Sequence, residues 1–263
     1  QAHGVAATVK HWPGEGHDDR DQHLLTTINP LSRSEWEATH GQLYRAAIAA
    51  GVKSVMSAHI ALPFHAAEMG AAGVELYRPA SISAGLNLDL LRGELGFNGL
   101  IVSDATPMAG LGSWGPYEDT LPQVINAGCD MILFAPDPAA AVGIVARAVA
   151  DGVISPARLE QALLRILGLK ASLGLHMGLA PSRVPVPQAA KARAVTARAP
   201  VLEKDVQGLM PLSLARHKRV LVVTTGLVLP FVPHALPLEF SGLLAAFLPA
   251  CDGINLEKLK PGI

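Results

Sequence analysis

Leu91-Arg-Gly-Glu-Leu-Gly-Phe-Asn-Gly-Leu-Ile-Val-Ser-Asp104 reads as the end of a helix, a stop, and a buried strand that finishes on a carboxylate. The helical pattern covers residues 86–95, and Gly96 stands where a helix needs a residue free to turn left-handed. The run 99–104 is continuously apolar until Ser103 and Asp104, which suits a strand buried on both faces of a parallel sheet. Three similar runs flank it, at residues 5–10, 52–60 and 130–135. Helical patterns fill the gaps. One opens at Ser34-Glu-Trp-Glu37, read as a capping box, and runs to about Ala50 before Gly51. Others cover 117–127 before Gly128, 139–151, and 156–174 with Ser155 as N-cap and Pro156 in the first turn. The β-α alternation is that of a barrel or a doubly wound sheet, and both put chemistry at the carboxyl ends of strands. Those ends read Lys10-His11, His59, Ser103-Asp104 and Pro136-Asp137.

The 263 residues are 50% hydrophobic and 16% charged, with a formal net charge of −1. That apolar fraction can fill a core, and the balanced charge argues against nucleic-acid or membrane-surface partners. Membrane insertion is not expected either, because prolines 230, 233, 237 and 249 and Glu239 break the most apolar segment. Cys129 and Cys251 make no disulfide framework. No signal-peptide pattern is visible, the start reads as internal or processed, and the compartment stays open between cytoplasm and periplasm. After residue 178 the composition shifts: 179–217, with Pro181, Pro185 and Pro187, reads as a linker, and 218–263 as the truncated start of a second α/β domain opening on a strand at Lys218.

The densest polar cluster is Lys10-His-Trp-Pro-Gly-Glu-Gly-His-Asp-Asp-Arg-Asp-Gln-His23, a loop at a strand end with three histidines and four carboxylates. Three readings stay open for it. His11, His17 and His23 with Asp21 could ligate a metal, the loop could be merely solvated, or it could do acid–base work. For the last, Asp21 and His23 lie two apart, so in extended backbone they share one face and the carboxylate can orient the imidazole. Asp104, taken alone, is equally a nucleophile or a helix cap. His59 is a pocket residue or a core histidine, while His40 and His65 read as structural. Trp12 and Trp114 could stack on a sugar or simply pack.

Taken in order, these motifs resemble glycoside hydrolase family 3, and within it the β-N-acetylglucosaminidases. Lys10-His-Trp-Pro-Gly-Glu-Gly with Asp21-Gln-His23 is similar to that family's Lys-His-Phe-Pro-Gly-His-Gly and Asp-Ser-His signature. Arg78-Pro-Ala-Ser-Ile-Ser83 and the stretch 91–104 resemble the approach to its nucleophile. Ala127-Gly-Cys-Asp-Met-Ile-Leu133 and the stretch 165–175 resemble its closing strand and helix. The resemblance implies a (β/α)8 TIM-type barrel, represented at residues 1–178 by about its last four β/α units. It implies a retaining mechanism with Asp104 as nucleophile and His23, assisted by Asp21, as acid and base. It also makes Lys10, His11, His59 and Met108 substrate-binding residues, and it calls for no metal or cofactor.

There are departures from the family pattern: Glu15 replaces the usual histidine, Gln22 the usual serine, and Ala105-Thr-Pro follows Asp104 where Asp-Leu-Ser is common. The substrate implied is a carbohydrate carrying terminal β-linked N-acetylglucosamine. The alternatives are a β-glucosidase or broad β-glycosidase, and a non-catalytic half-barrel. Because an open half-barrel exposes strand edges, a complementing chain or a homo-oligomer is expected to complete the ring.

Overall fold

A computed structural model describes residues 1, 4–178, 189–199, 201, 203–213, 215–217, 219–224 and 251–255. The chain divides into two compact units at Ala180/Pro181. Within the first, the strands are β1 (Thr8–Trp12), β2 (Thr27–Ile28), β3 (Ser54–Ser57), β4 (Ile60–Ala61), β5 (Leu100–Ala105) and β6 (Met131–Leu133). Four of them form one sheet in the order β1-β3-β5-β6, every neighbour parallel. Parallel neighbours require crossovers, and helices supply them. This is the α/β sheet of a barrel-type fold, and all four carboxyl ends lie along one edge.

The two ends of the sheet differ from its middle. All six residues of β5 are buried, whereas β1 alternates exposed and half-buried until Trp12 and β6 is only half-buried. The core centres on Val55, Leu90, Leu91 and Ile101, with Trp12, Trp36 and Tyr44 packed edge-to-face at ring separations of 5.8 and 4.7 Å. Trp12 is fully buried, which removes it as a sugar-stacking surface. Trp114 is also committed: its indole N–H donates to Thr26 Oγ1 and the Arg78 guanidinium lies 5.1 Å from its ring.

The run 52–60 is two strands rather than one. β3 ends at Ser57, the Ala58 N–H donates to the Trp12 carbonyl, and the chain then turns so that β4 pairs with β2. His59 sits at that turn. The first helix begins two residues before the expected cap. Ser32 accepts from the Glu35 N–H and Glu35 reaches back to the Ser32 N–H, so the Ser-x-x-Glu frame starting at Ser32 prevails over the one starting at Ser34. That helix runs through Arg33–Trp36, a wider π-type stretch Glu37–Gly41, and Gln42–Ala49. Helices Tyr117–Asn126, Pro138–Ala150 and Pro156–Ser172 follow the expected pattern. Asp137, at the end of the last apolar run, caps the helix after it by accepting from the Ala139 and Ala140 N–H groups.

In the second unit, Val220–Thr224 and Cys251–Asn255 pair as parallel strands. The proline-rich stretch at 181–188 and Lys218 lie outside the described residues, while a helix Ala189–Arg198 falls within the expected linker. Among the described residues no helix is long and apolar enough to cross a membrane.

Candidate active site

Asp104 is the next-to-last residue of β5 and is buried, 8% exposed. Its Oδ1 accepts the Ala105 N–H at 2.8 Å, while Oδ2 is buried with no hydrogen-bond partner among the described residues. A buried carboxylate oxygen normally has a partner, so one left free at the carboxyl end of a central strand is a group held for something else. The following segment does not use Asp104 as its cap. The short helix Ala109–Gly112 starts instead from an extended, buried Met108, with no side chain capping it.

Asp21 and His23 stand on the loop after β1. His23 Nδ1 lies 2.7 Å from Asp21 Oδ1, which also accepts the His23 backbone N–H at 2.9 Å. The pairing therefore arises from a tight turn in which the aspartate folds back on the chain, not from extended alternation. Those two hydrogen bonds, the backbone one first, hold the Asp21 carboxyl below its usual range. A carboxylate can only accept, so Nδ1 carries its hydrogen and Nε2 is left to exchange a proton. Both side chains are well exposed.

The loop is docked on the segment that follows Asp104. Ala109 N–H donates to the His23 carbonyl at 3.0 Å and Gly110 N–H to the Gln22 carbonyl at 3.2 Å. Thr26 Oγ1 donates to the Gly110 carbonyl. Gly110 permits this approach: a Cβ there would fall 2.6 Å from the Gln22 carbonyl oxygen and 2.8 Å from His59 Cβ.

His59 is fully buried with both ring nitrogens engaged, Nδ1 with Ser81 Oγ at 2.9 Å and Nε2 with the Ala105 carbonyl at 3.0 Å. It braces the end of the strand that carries Asp104 and has no ring nitrogen left over for a sugar. Burial lowers its pKa, opposed by the Ala105 carbonyl and the Asp104 charge and assisted by His23. Lys10 is exposed on β1, and His11 is half-buried with its Nδ1 2.5 Å from Glu15 Oε2. The three loop histidines go separate ways, His11 to Glu15, His17 edge-on to the His40 ring at 5.3 Å, and His23 to Asp21. Among the described residues no three metal-ligating side chains converge.

Sequence reasoning missed the part played by Gln22. It is buried, donates to Glu15 Oε1 at 3.1 Å and accepts the His59 backbone N–H at 3.1 Å. The signals in the chain are a long amide between Asp21 and His23 and its departure from the usual serine.

A parallel α/β sheet that gathers a free carboxylate and a carboxylate-paired imidazole at its carboxyl edge has the architecture of a barrel-type enzyme domain. The chain belongs to glycoside hydrolase family 3: residues 1–169 match the glycosyl hydrolase family 3 N terminal domain. It is 47% identical over 231 residues to a β-N-acetylglucosaminidase/β-glucosidase of Cellulomonas fimi, covering 84% of this chain and 41% of that protein. The solved structure of β-glucoside phosphorylase BglX superposes with a TM-score of 0.66 at 33% identity, over 98% of this chain and 48% of that one. A family 3 β-N-acetylglucosaminidase from Paenibacillus sp. str. FPU-7 gives 0.64 at 27% identity, over 96% and 48%. The chain spans less than half the length of each of these proteins.

Proposed function

We propose that this chain carries the nucleophile and the proton carrier of a retaining β-glycosidase acting on terminal β-linked N-acetylglucosamine. The observation that carries the reading is the buried, unpartnered Oδ2 of Asp104, beside a segment to which the Asp21–His23 loop is hydrogen-bonded. Oδ2 attacks the anomeric carbon and the glycosidic C–O bond breaks as His23 Nε2 gives its proton to the leaving oxygen. Water then attacks the glycosyl-aspartate, returning a proton to His23 and freeing Asp104. Asp21 holds the imidazole in the right tautomer and stabilises its cation. Lys10 and His11 bind sugar hydroxyls, Met108 lines the pocket wall and His59 keeps the strand end in place.

Nitrophenyl β-N-acetylglucosaminide and nitrophenyl β-glucoside separate this reading from a β-glucosidase: faster release from the glucoside overturns the preference. The likeness to a β-glucoside phosphorylase favours one second reading, in which inorganic phosphate replaces water as acceptor. An imidazole acid carries no negative charge to repel a phosphate, as a carboxylate acid would. Adding phosphate to the same assay and looking for a sugar 1-phosphate decides between the acceptors. The half-buried ends of the sheet, β1 and β6, are where we expect further strands to complete the ring, from a complementing chain, a second copy or more of the same polypeptide. The native mass of the active species distinguishes these. The second unit, with its parallel pair, is proposed to begin a further α/β domain.

A further inference from the structure

Two of the residues that depart from the family signature, Glu15 and Gln22, touch each other. Gln22 Nε2 donates to Glu15 Oε1, and the other oxygen of the same carboxylate, Oε2, takes His11 Nδ1. From Gln22 the chain of contacts continues in two directions. Its side-chain oxygen accepts the His59 backbone N–H, and its backbone carbonyl accepts the Gly110 N–H. One carboxylate thus bridges an imidazole at the end of β1 to the turn at the end of β3 and the segment after β5. Glu15 and His11 also share the wall of a cavity of about 370 Å³ with Lys10.

We infer that Glu15 is a positioning residue. It fixes His11 with the hydrogen on Nδ1, so that Nε2 is the atom turned to a ligand, and through Gln22 it locks the loop of residues 10–23 in register with the strand end carrying Asp104. The usual pair cannot do both jobs at once. A neutral histidine at 15 has a single acceptor nitrogen, so it cannot accept from His11 and from residue 22 together, and a serine at 22 is too short to reach both partners. The Glu15–Gln22 pair acts as one device. This inference rests on the proposed sugar-binding role of His11 only for its effect on turnover.

Nitrogen-15 NMR of the histidine rings tests the clamp without any activity. The expected result is a His11 ring with its hydrogen on Nδ1 in the unmodified protein. Glu15→Ala should return it to the tautomer mixture of a free imidazole, and Glu15→Gln, which keeps an acceptor oxygen, should preserve the Nδ1–H. A His11 ring hydrogenated only on Nε2, or one indifferent to Glu15→Ala, overturns the proposal. In the glycosidase assay, Glu15→Ala should raise KM by about tenfold, the size of one charge-assisted hydrogen bond, with kcat falling as well to the extent that the loop carrying Asp21 and His23 loosens, and Glu15→Gln recovering most of the KM loss. An unchanged KM would show that His11 binds without help from Glu15 and would overturn the clamp. Absence of turnover in the unmodified protein would count against the proposed function alone, because the tautomer measurement stands by itself. Gln22→Ser added to Glu15→Ala should cost less stability than the sum of the two single changes, because both remove the same Gln22–Glu15 hydrogen bond; full additivity would break the link between them.

Discussion

Two aspartates meet opposite ends of β5, and the structure treats them in opposite ways. Asp130, at the amino end, has a fully buried side chain that is saturated with partners. Oδ2 takes Arg92 at 2.7 Å and the Ile101 N–H at 3.0 Å, and Oδ1 takes Arg158 at 2.9 Å with Arg165 3.6 Å away. Arg158 also donates to the carbonyls of Ile125 and Cys129, so the hub ties three helices to the sheet. Asp104, at the carboxyl end, has one hydrogen bond to its own neighbour and one oxygen with none among the described residues. The saturated charge serves architecture, and the one with an oxygen withheld is the proposed nucleophile. On that reading the two ends of β5 separate stability from chemistry, as barrel folds separate their two faces.

Removing each charge should therefore act on a different measurement. Asp104→Asn should lower glycosidase turnover by at least about a thousandfold, the scale of losing a nucleophile, while leaving the unfolding free energy from urea titration within about 1 kcal/mol of unmodified protein. A stability loss as large as the activity loss would erase the distinction. Asp130→Ala should do the reverse. It strands Arg92 and Arg158 as buried, uncompensated cations, and breaking a buried pair from one side costs about 3–5 kcal/mol. Asp130→Asn, which keeps the shape and some of the hydrogen bonds, should cost less.

Gly110 joins the carboxyl end of β5 to the dyad loop, and a smaller effect is expected there. Gly110→Ala drives a methyl group into the Gln22 carbonyl and His59 Cβ. Backbone atoms cannot rotate away, so the loop must shift. We expect a loss of about 1–3 kcal/mol from overpacking and turnover down by up to about a hundredfold from misplaced His23. Gly112→Ala is the control: a Cβ there meets nothing within 4 Å, so it should leave both readings unchanged or raise stability slightly.

Much of the frame can be read before any coordinates, because a doubly buried parallel strand leaves a continuous apolar run in the chain. All four runs are sheet strands and they neighbour one another in chain order. What the pattern hides is where pairing changes partner. Nothing in Ser57-Ala-His-Ile says that the ladder passes from β3 to β4 at His59, because that depends on Gln22 and Thr27 arriving from a distant loop. The cap at Ser32 is hidden because two overlapping frames satisfy the same rule and local backbone chooses between them. In the site, Asp21 and His23 are legible as a pair from their spacing, though the turn that joins them is not. The Asp130 hub is signalled in the chain: an aspartate opening an apolar strand, with Arg92, Arg158 and Arg165 on nearby helices, has to be paired if buried. Glu15 and Gln22 stand out only as departures, and their mutual contact needs three dimensions.

The smallest effect separates the two ends of β5 by pH. His59, near Asp104, is held neutral because burial lowers its pKa, against the pull of the Ala105 carbonyl and the Asp104 charge. In the unfolded chain an imidazole titrates near about 6.5. Above that value neither state binds the proton and the contribution is fully present. Below it the unfolded chain takes up a proton that folded His59 resists, so stability falls as pH drops, by at most about 1.4 kcal/mol per pH unit for one group, until the folded pKa is reached. His40, also lowered by burial and by His17, adds a slope of the same sign, so the measurement is the difference between unmodified protein and His59→Gln in urea midpoints from pH 7.5 to 5. His59→Gln should flatten that dependence by up to one proton, and equal slopes would overturn the assignment. Asp104→Asn supplies the link to the reactive end: without the carboxylate charge that favours protonated His59, its pKa falls further and the loss continues to lower pH. Asp130→Asn, at the other end of the strand, should shift the whole curve downward without changing its shape.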